Sequence, residues 1–171
     1  MMKKKFAVAA VVASFCIAAA LPSLAAEKES PAALAKALSE ASVLLDQGLK
    51  ASEREGKPIS AKYELEDGAL QLSVYTMKGD KFSEVVVDHK AGSIKKAEIV
   101  TDAGDLKHAK AQSAAMAKAK LSLEDSVQSA VTANSGFRAV SAMPMLKSGH
   151  PVAAITLIKG AKVKKVTAKL D

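Results

Sequence analysis

The sequence predicts an α+β fold: two helix-plus-antiparallel β-meander repeats packed as one compact unit, after an N-terminal signal peptide. Three observations carry this reading. Between Tyr63 and Val100, short segments of alternating apolar and polar residues are separated by tight turns. A segment with helical apolar spacing and a Ser-Pro start precedes them, and the same order of helix, glycine stop and strands returns from Leu121 onward. Alternation with period 2 marks a half-buried strand, and spacings of 3 and 4 mark a helix with one apolar face.

Residues 1–25 read as the signal peptide. Lys3, Lys4 and Lys5 form a basic start, Phe6–Leu21 is an unbroken apolar run, and Pro22 ends it ahead of the small-x-small pattern Ser23-Leu24-Ala25. Cleavage is expected near Ala25 or Ala26, which places the mature chain in the periplasm. An uncleaved anchor is the competing reading, although the run is short for a membrane span. Cys16, the single cysteine, lies in this run behind the bulky Phe15, a poor setting for lipid attachment. The mature chain then has no disulfide and no cysteine metal site. Removing the three leader lysines from the 25 basic residues brings the net charge from +7 to +4. The remaining lysines are dispersed, the arginines are Arg54 and Arg138 alone, and aromatics make up 4% of the residues. That pattern lacks the basic stripe and stacking residues of a nucleic-acid module, and no stable membrane insertion is expected after cleavage.

The mature elements follow in order. Ser30 caps and Pro31 opens a helix running to about Arg54, with Leu34, Leu38, Ala41, Leu45 and Leu49 on one face and Gly56 as its stop. Ile59, Ala61, Tyr63 and Leu65 alternate with polar residues in the first strand, ending at Glu66. Asp67-Gly68 is a two-residue hairpin signal. Leu70–Met77 returns, Lys78-Gly79-Asp80 turns, and Phe82–Val87 forms the third strand. Asp88–Gly92 is a longer turn, in which Asp88 can accept from its own following backbone. Ile94–Val100, with Lys95 and Lys96, suits a sheet edge, where lysines discourage unwanted strand addition.

Thr101–Asp105 reads as a turn, and Leu106–Lys120 as a half-exposed connecting helix of good propensity but few large apolar anchors. A flexible linker is the alternative there. The second unit then begins with Ser122 as cap and Asp125 three residues on. Its helix carries Leu123, Val127, Ala130 and Val131 and stops at Asn134-Ser135-Gly136. Phe137–Met145, Val152–Ile158 and Val163–Leu170 are its strands. The domain reading is therefore 27–101 for the first repeat, 102–121 for the connection and 122–171 for the second repeat. Aligned by spacing, Lys78-Gly79-Asp80 matches Lys147-Ser148-Gly149. Phe82, Val85 and Val87 match Val152, Ile155 and Leu157, and Gly92 matches Gly160. In this alignment the second copy lacks the Asp67-Gly68 hairpin signal.

Two stretches resemble the PepSY domain family. Leu121-Ser122-Leu123-Glu124-Asp125, followed by a helix and Gly136, is similar to the family's start. Tyr63–Gly68 and then Val87-Asp88-His89-Lys90-Ala91-Gly92-Ser93-Ile94 are similar to its end. The resemblance implies a helix-on-antiparallel-sheet module of exported or membrane-attached proteins. It also implies a non-catalytic role, such as restraining a peptidase, and it supplies no catalytic residue to carry over.

Residue chemistry points the same way. No catalytic, cofactor-binding or metal residue is assigned. His89, His108 and His150 show no i,i+4 ligand spacing. Asp88 beside His89 could form a carboxylate–histidine pair, but turn formation accounts for Asp88. Glu64, Glu66 and Asp67 lack the tight spacing of a calcium loop. No Gly-x-Ser-x-Gly elbow or phosphate loop occurs. The expectation is a non-enzymatic exported binding module for a protein partner, a peptidase or another envelope protein, docked on the open sheet face or an edge strand. The alternative is a small-ligand or metal-binding carrier using His89, His150, Met143 and Met145. A third reading is a structural protein resting on anionic lipid.

Overall fold

The computed structural model describes residues 30–171. The expected signal peptide and its cleavage point lie outside the described residues. The α+β class holds: helices pack on a seven-stranded, wholly antiparallel sheet. The strands are β1 (Lys57–Glu66), β2 (Ala69–Lys78), β3 (Lys81–Val87), β4 (Ile94–Ile99), β5 (Arg138–Lys147), β6 (His150–Lys159) and β7 (Lys162–Lys169), in the spatial order β4-β3-β2-β1-β5-β6-β7. Each half is a meander, and the halves meet where β1 runs antiparallel to β5. Only Ala61↔Ala142 and Lys62↔Ser141 are paired across this seam.

The turns show why the strands reverse where they do. Asp67 and Gly68 both have positive φ, 51° and 78°, as do Ser148 and Gly149, 50° and 83°. Two consecutive left-handed residues match the right-handed twist of the flanking strands. The β2–β3 and β6–β7 hairpins also close with two residues, led by Gly79 and Gly160.

Sheet position therefore corrects the alignment made by spacing. The seam strands β1 and β5 correspond, so Ser148-Gly149 is the counterpart of Asp67-Gly68, and Gly160 is the counterpart of Gly79. By sheet position the second half has a turn in the place of Asp67-Gly68 and, among the described residues, no strand in the place of β4. The spacing misled because the β1–β2, β2–β3, β5–β6 and β6–β7 hairpins are all two-residue loops, so a shift by one hairpin looks alike in sequence.

One face of the sheet is covered by α1 (Pro31–Ala37), α2 (Leu45–Ser52) and α4 (Leu123–Thr132). Between them and the strands lies an aliphatic core that includes Leu34, Leu45, Leu49, Val127, Leu72, Val74, Val85, Ile155 and Leu157. Each such side chain contributes roughly 1.5–3 kcal/mol when fully buried. Ser30 accepts from the Ala33 N–H and Pro31 occupies the first turn of α1. Ser122 accepts from the Asp125 N–H at the start of α4.

The long helix expected from Pro31 to Arg54 is broken. A 3-10 turn at Leu38–Glu40 ends the first piece, and extended backbone precedes α2. The break is held from outside. The His89 carbonyl accepts the N–H groups of Ser42 and Val43, and the Gln47 side chain accepts that of Leu44. At Gly48, α2 comes so close to β2 that an added Cβ would stand 2.6 Å from Leu72. A straight helix would not reach both contacts.

The connecting segment forms α3 (Ala103–Lys118), capped by Asp102, which accepts from the Gly104 and Asp105 N–H groups. The helix starts three residues before Leu106, inside the stretch read as a turn. It lies alone on the opposite, outer face, against β1, β5 and β6. Alternation along β1 shows this directly: Tyr63 bonds into the α1–α2 side, whereas Ser60 donates to Gln112 of α3 at 2.8 Å. Among the described residues no helix is long and apolar enough to cross a membrane.

Candidate functional site

Three places concentrate polar or apolar features: the Asp88 turn with the Arg138 anchor behind it, the cleft beside α3, and the outer strand β7.

Asp88 Oδ1 accepts from the Lys90 and Ala91 backbone N–H groups at 2.8 and 2.9 Å, and Oδ2 stands 3.3 Å from Lys95 Nζ. The two backbone N–H groups, helped by Lys95, hold its carboxyl down at about 2. No hydrogen bond joins it to the His89 ring, so the carboxylate–histidine pair does not form. Burial, with Lys95 nearby, lowers the His89 imidazole. What the turn presents to the helices is the His89 carbonyl, and Gly92 (φ 75°) lets the chain pass beside Val43.

Arg138, at the start of β5, reaches the same helical break. Nη1 donates to the carbonyls of Leu38 and Ala41 at 3.1 and 2.9 Å, and Nη2 donates to the carbonyl of Val43. The Tyr63 hydroxyl donates to that Val43 oxygen as well, at 2.6 Å. Carbonyls left open at the end of a helical turn are natural acceptors for a cation. Burial raises the Tyr63 phenol, an effect that neighbouring Arg138 opposes. No feature of spacing picks out Arg138; its one signal is the rarity of arginine in a lysine-rich chain.

The acidic residues of the first hairpin do not converge on a site. Glu64 pairs with Lys62 and accepts from Ser73, Glu66 accepts from Gln71 at 2.6 Å, and Asp67 forms the turn. This is a polar ladder on the outer face. It continues to Tyr75, whose phenol is raised by burial and then by Glu84, Asp105, Glu64 and Glu66.

The cleft between α3 and strands β1, β2 and β5 has a volume of about 430 Å³, in the range of small-ligand sites. His108, Gln112, Met143 and Met145 line it together with Tyr75 and Asp105. The four residues of the carrier reading are therefore separated. Met143 and Met145 share this cleft, His89 is in the Asp88 turn, and His150 Nδ1 pairs with Asp171 Oδ2 at 2.8 Å at the far end of β6. His108, which spacing gave no reason to join to the methionines, is the histidine that lines the cleft with them. Among the described residues no group of three or more His, Cys, Asp or Glu is placed to hold a metal ion.

The two outer strands differ in charge. On β4, Lys96 pairs with Glu98 at 2.7 Å and Lys95 with Asp88. At the end of β6 and along β7, Lys159, Lys162, Lys164, Lys165 and Lys169 are all exposed. No carboxylate among the described residues stands within ion-pair distance of any of them. Lys164 bonds instead to the neutral Asn134 side chain.

Comparison with known proteins finds no match among protein-family models, curated proteins or solved structures.

Proposed function

We propose that this chain is a non-enzymatic binding module that holds an acidic, extended protein segment along the open edge of β7. One observation carries the reading: both edges of the sheet carry lysines, two in the six residues of β4 and four in the eight of β7, but only those of β7 lack carboxylate partners. The outward backbone of β7 offers unpaired N–H and C=O groups, which an added strand would satisfy. Its lysines repel a second copy of the same edge, so they exclude self-addition while admitting a segment of opposite charge. The resemblance of Leu121–Gly136 and Tyr63–Ile94 to the PepSY family supplies the setting: an exported module that restrains a peptidase or holds an envelope protein in the periplasm.

The test is site-specific photocrosslinking in the cell envelope. A crosslinker at Lys164 on β7 is expected to capture a defined protein through an acidic stretch mapped by mass spectrometry, and a crosslinker at Lys96 on β4 is not. Reversing Lys162 and Lys165 to Glu should abolish the capture without changing the melting temperature. Equal capture from both edges, or capture that survives charge reversal, would overturn the proposal.

A further inference from the structure

We propose that the cleft beside α3 is a binding site for a soft monovalent cation of the Cu(I) class, with Met143 Sδ, Met145 Sδ and a ring nitrogen of His108 as its ligands. The inference is independent of partner binding at β7, which lies on the far side of β6.

The four methionines of the described chain are Met77, Met116, Met143 and Met145. Two are accounted for by packing around the alanine-rich α3. Met116 is buried, and Met77 Sδ accepts from Ser113 of the helix at 2.8 Å. The β5 pair is different. Met143 and Met145 lie two apart on one strand, so both project from the outer face, and Met145 is 45% exposed at the cleft wall. Hydrophobic burial does not explain a large thioether left in solvent beside a cavity.

The site has a support of its own. Ser60 Oγ donates to Gln112 Oε1 at 2.8 Å, and the amide nitrogen of Gln112 in turn lies 3.5 Å from Met143 Sδ. A flexible side chain is thereby tied down from β1 through α3. Asp105 and His108 are one helical turn apart on α3 and both line the cleft, which adds a carboxylate to an approaching cation's surroundings. Lys62, also on the wall, is already neutralised by Glu64.

The donor set decides the ion. Thioethers are neutral, soft ligands that favour Cu(I) over harder ions, and imidazole is compatible with it. Zn(II) would want thiolates or several imidazoles, and Ca(II) would want a cage of oxygens. Neither is present here.

The experiment is competition between the purified protein and the chromophoric chelator bicinchoninate for Cu(I), under anaerobic reducing conditions. A Cys16→Ser background removes the single thiol of the sequence. One Cu(I) per chain is expected. Met143→Leu combined with Met145→Leu should abolish competition, and His108→Asn should weaken it. Gln112→Leu, which releases Met143 without touching a ligand, should weaken it by about 10- to 100-fold. His89→Ala and His150→Ala should bind as the parent does. Unchanged circular dichroism and melting confirm that each variant is folded; should the double leucine variant fail this check, His108→Asn and Gln112→Leu decide. No competition by the parent protein, or binding indifferent to the ligand variants that fold, would overturn the assignment.

Discussion

The guanidinium carbon of Arg138 lies 5.4 Å from the centre of the Tyr63 ring, and both side chains donate to the same carbonyl, that of Val43. One residue comes from β5 and the other from β1, so this contact crosses the seam where only two residue pairs join the halves of the sheet. The cation has no carboxylate partner; helix-end carbonyls and an aromatic face surround it. Arg138→Ala is expected to destabilise the protein by about 2–4 kcal/mol, because several charge-assisted hydrogen bonds are lost at once. Tyr63→Phe removes a single hydroxyl and should cost about 1 kcal/mol. A double-mutant cycle read by urea unfolding should give a coupling above about 0.5 kcal/mol. Additive effects would show that the two residues act separately.

Gly48→Ala sets two effects against each other. In a helix interior alanine is better than glycine by roughly 1 kcal/mol. Here the new methyl would press on Leu72, which is fully buried. Overpacking of this kind costs about 1–3 kcal/mol, so the net effect should be a loss, seen as a lower melting temperature. Pairing it with Leu72→Ala should recover part of that loss.

Ser148 has φ 50°, in the left-handed region, and the next residue is already Gly149. Ser148→Asn creates the residue pair best suited to this turn. A gain of about 0.5–1 kcal/mol is expected, measured as a higher denaturation midpoint with an unchanged slope.

Thr76 is 1% exposed, and its hydroxyl has no hydrogen-bond partner among the described residues. Replacing it with valine keeps the shape and removes an unsatisfied polar group. Thr76→Val should therefore stabilise the protein by about 1 kcal/mol in thermal unfolding, where most core changes would destabilise it.

Asp88 predicts a pH dependence whose sign follows from its bonds. The folded carboxyl titrates at about 2, below its ordinary 3.8. Its contribution is therefore fully present above about pH 4 and is lost as pH falls through about 2. Thermal melts of the parent and Asp88→Asn should differ at pH 7 and draw together towards pH 2. A gap that stays constant across this range would show that the charge is not what the turn uses.

Much of the architecture was legible because local rules act on a few residues at a time. Ser30-Pro31, Ser122, Asp67-Gly68 and the alternation through Leu70, Leu72 and Val74 each specify their element without help from distant parts of the chain. The break at Leu38–Glu40 was not legible, since it is imposed by His89 and Arg138, far away in sequence. The early start of α3 was missed for a simpler reason: Asp102 as cap was absorbed into a stretch read as a turn. In the cleft, the Met143 and Met145 pair is visible as a two-residue spacing, but the histidine that lines the same cleft is not. Only the packing of α3 on the outer face brings His108 to the wall of that cleft.

The hairpins and the seam also have a consequence for how the chain reaches this shape. Every two-residue turn joins strands adjacent in sequence, so each meander can form from short-range contacts, which close quickly. The pairing of Ala61 with Ala142 must wait until both meanders and the intervening α3 exist. Until β5 docks, β1 presents a bare edge. The closing of that edge by β5 is the most long-range pairing in the sheet, and it is expected to be the slow step, during which the chain is most open to pairing with the wrong strand.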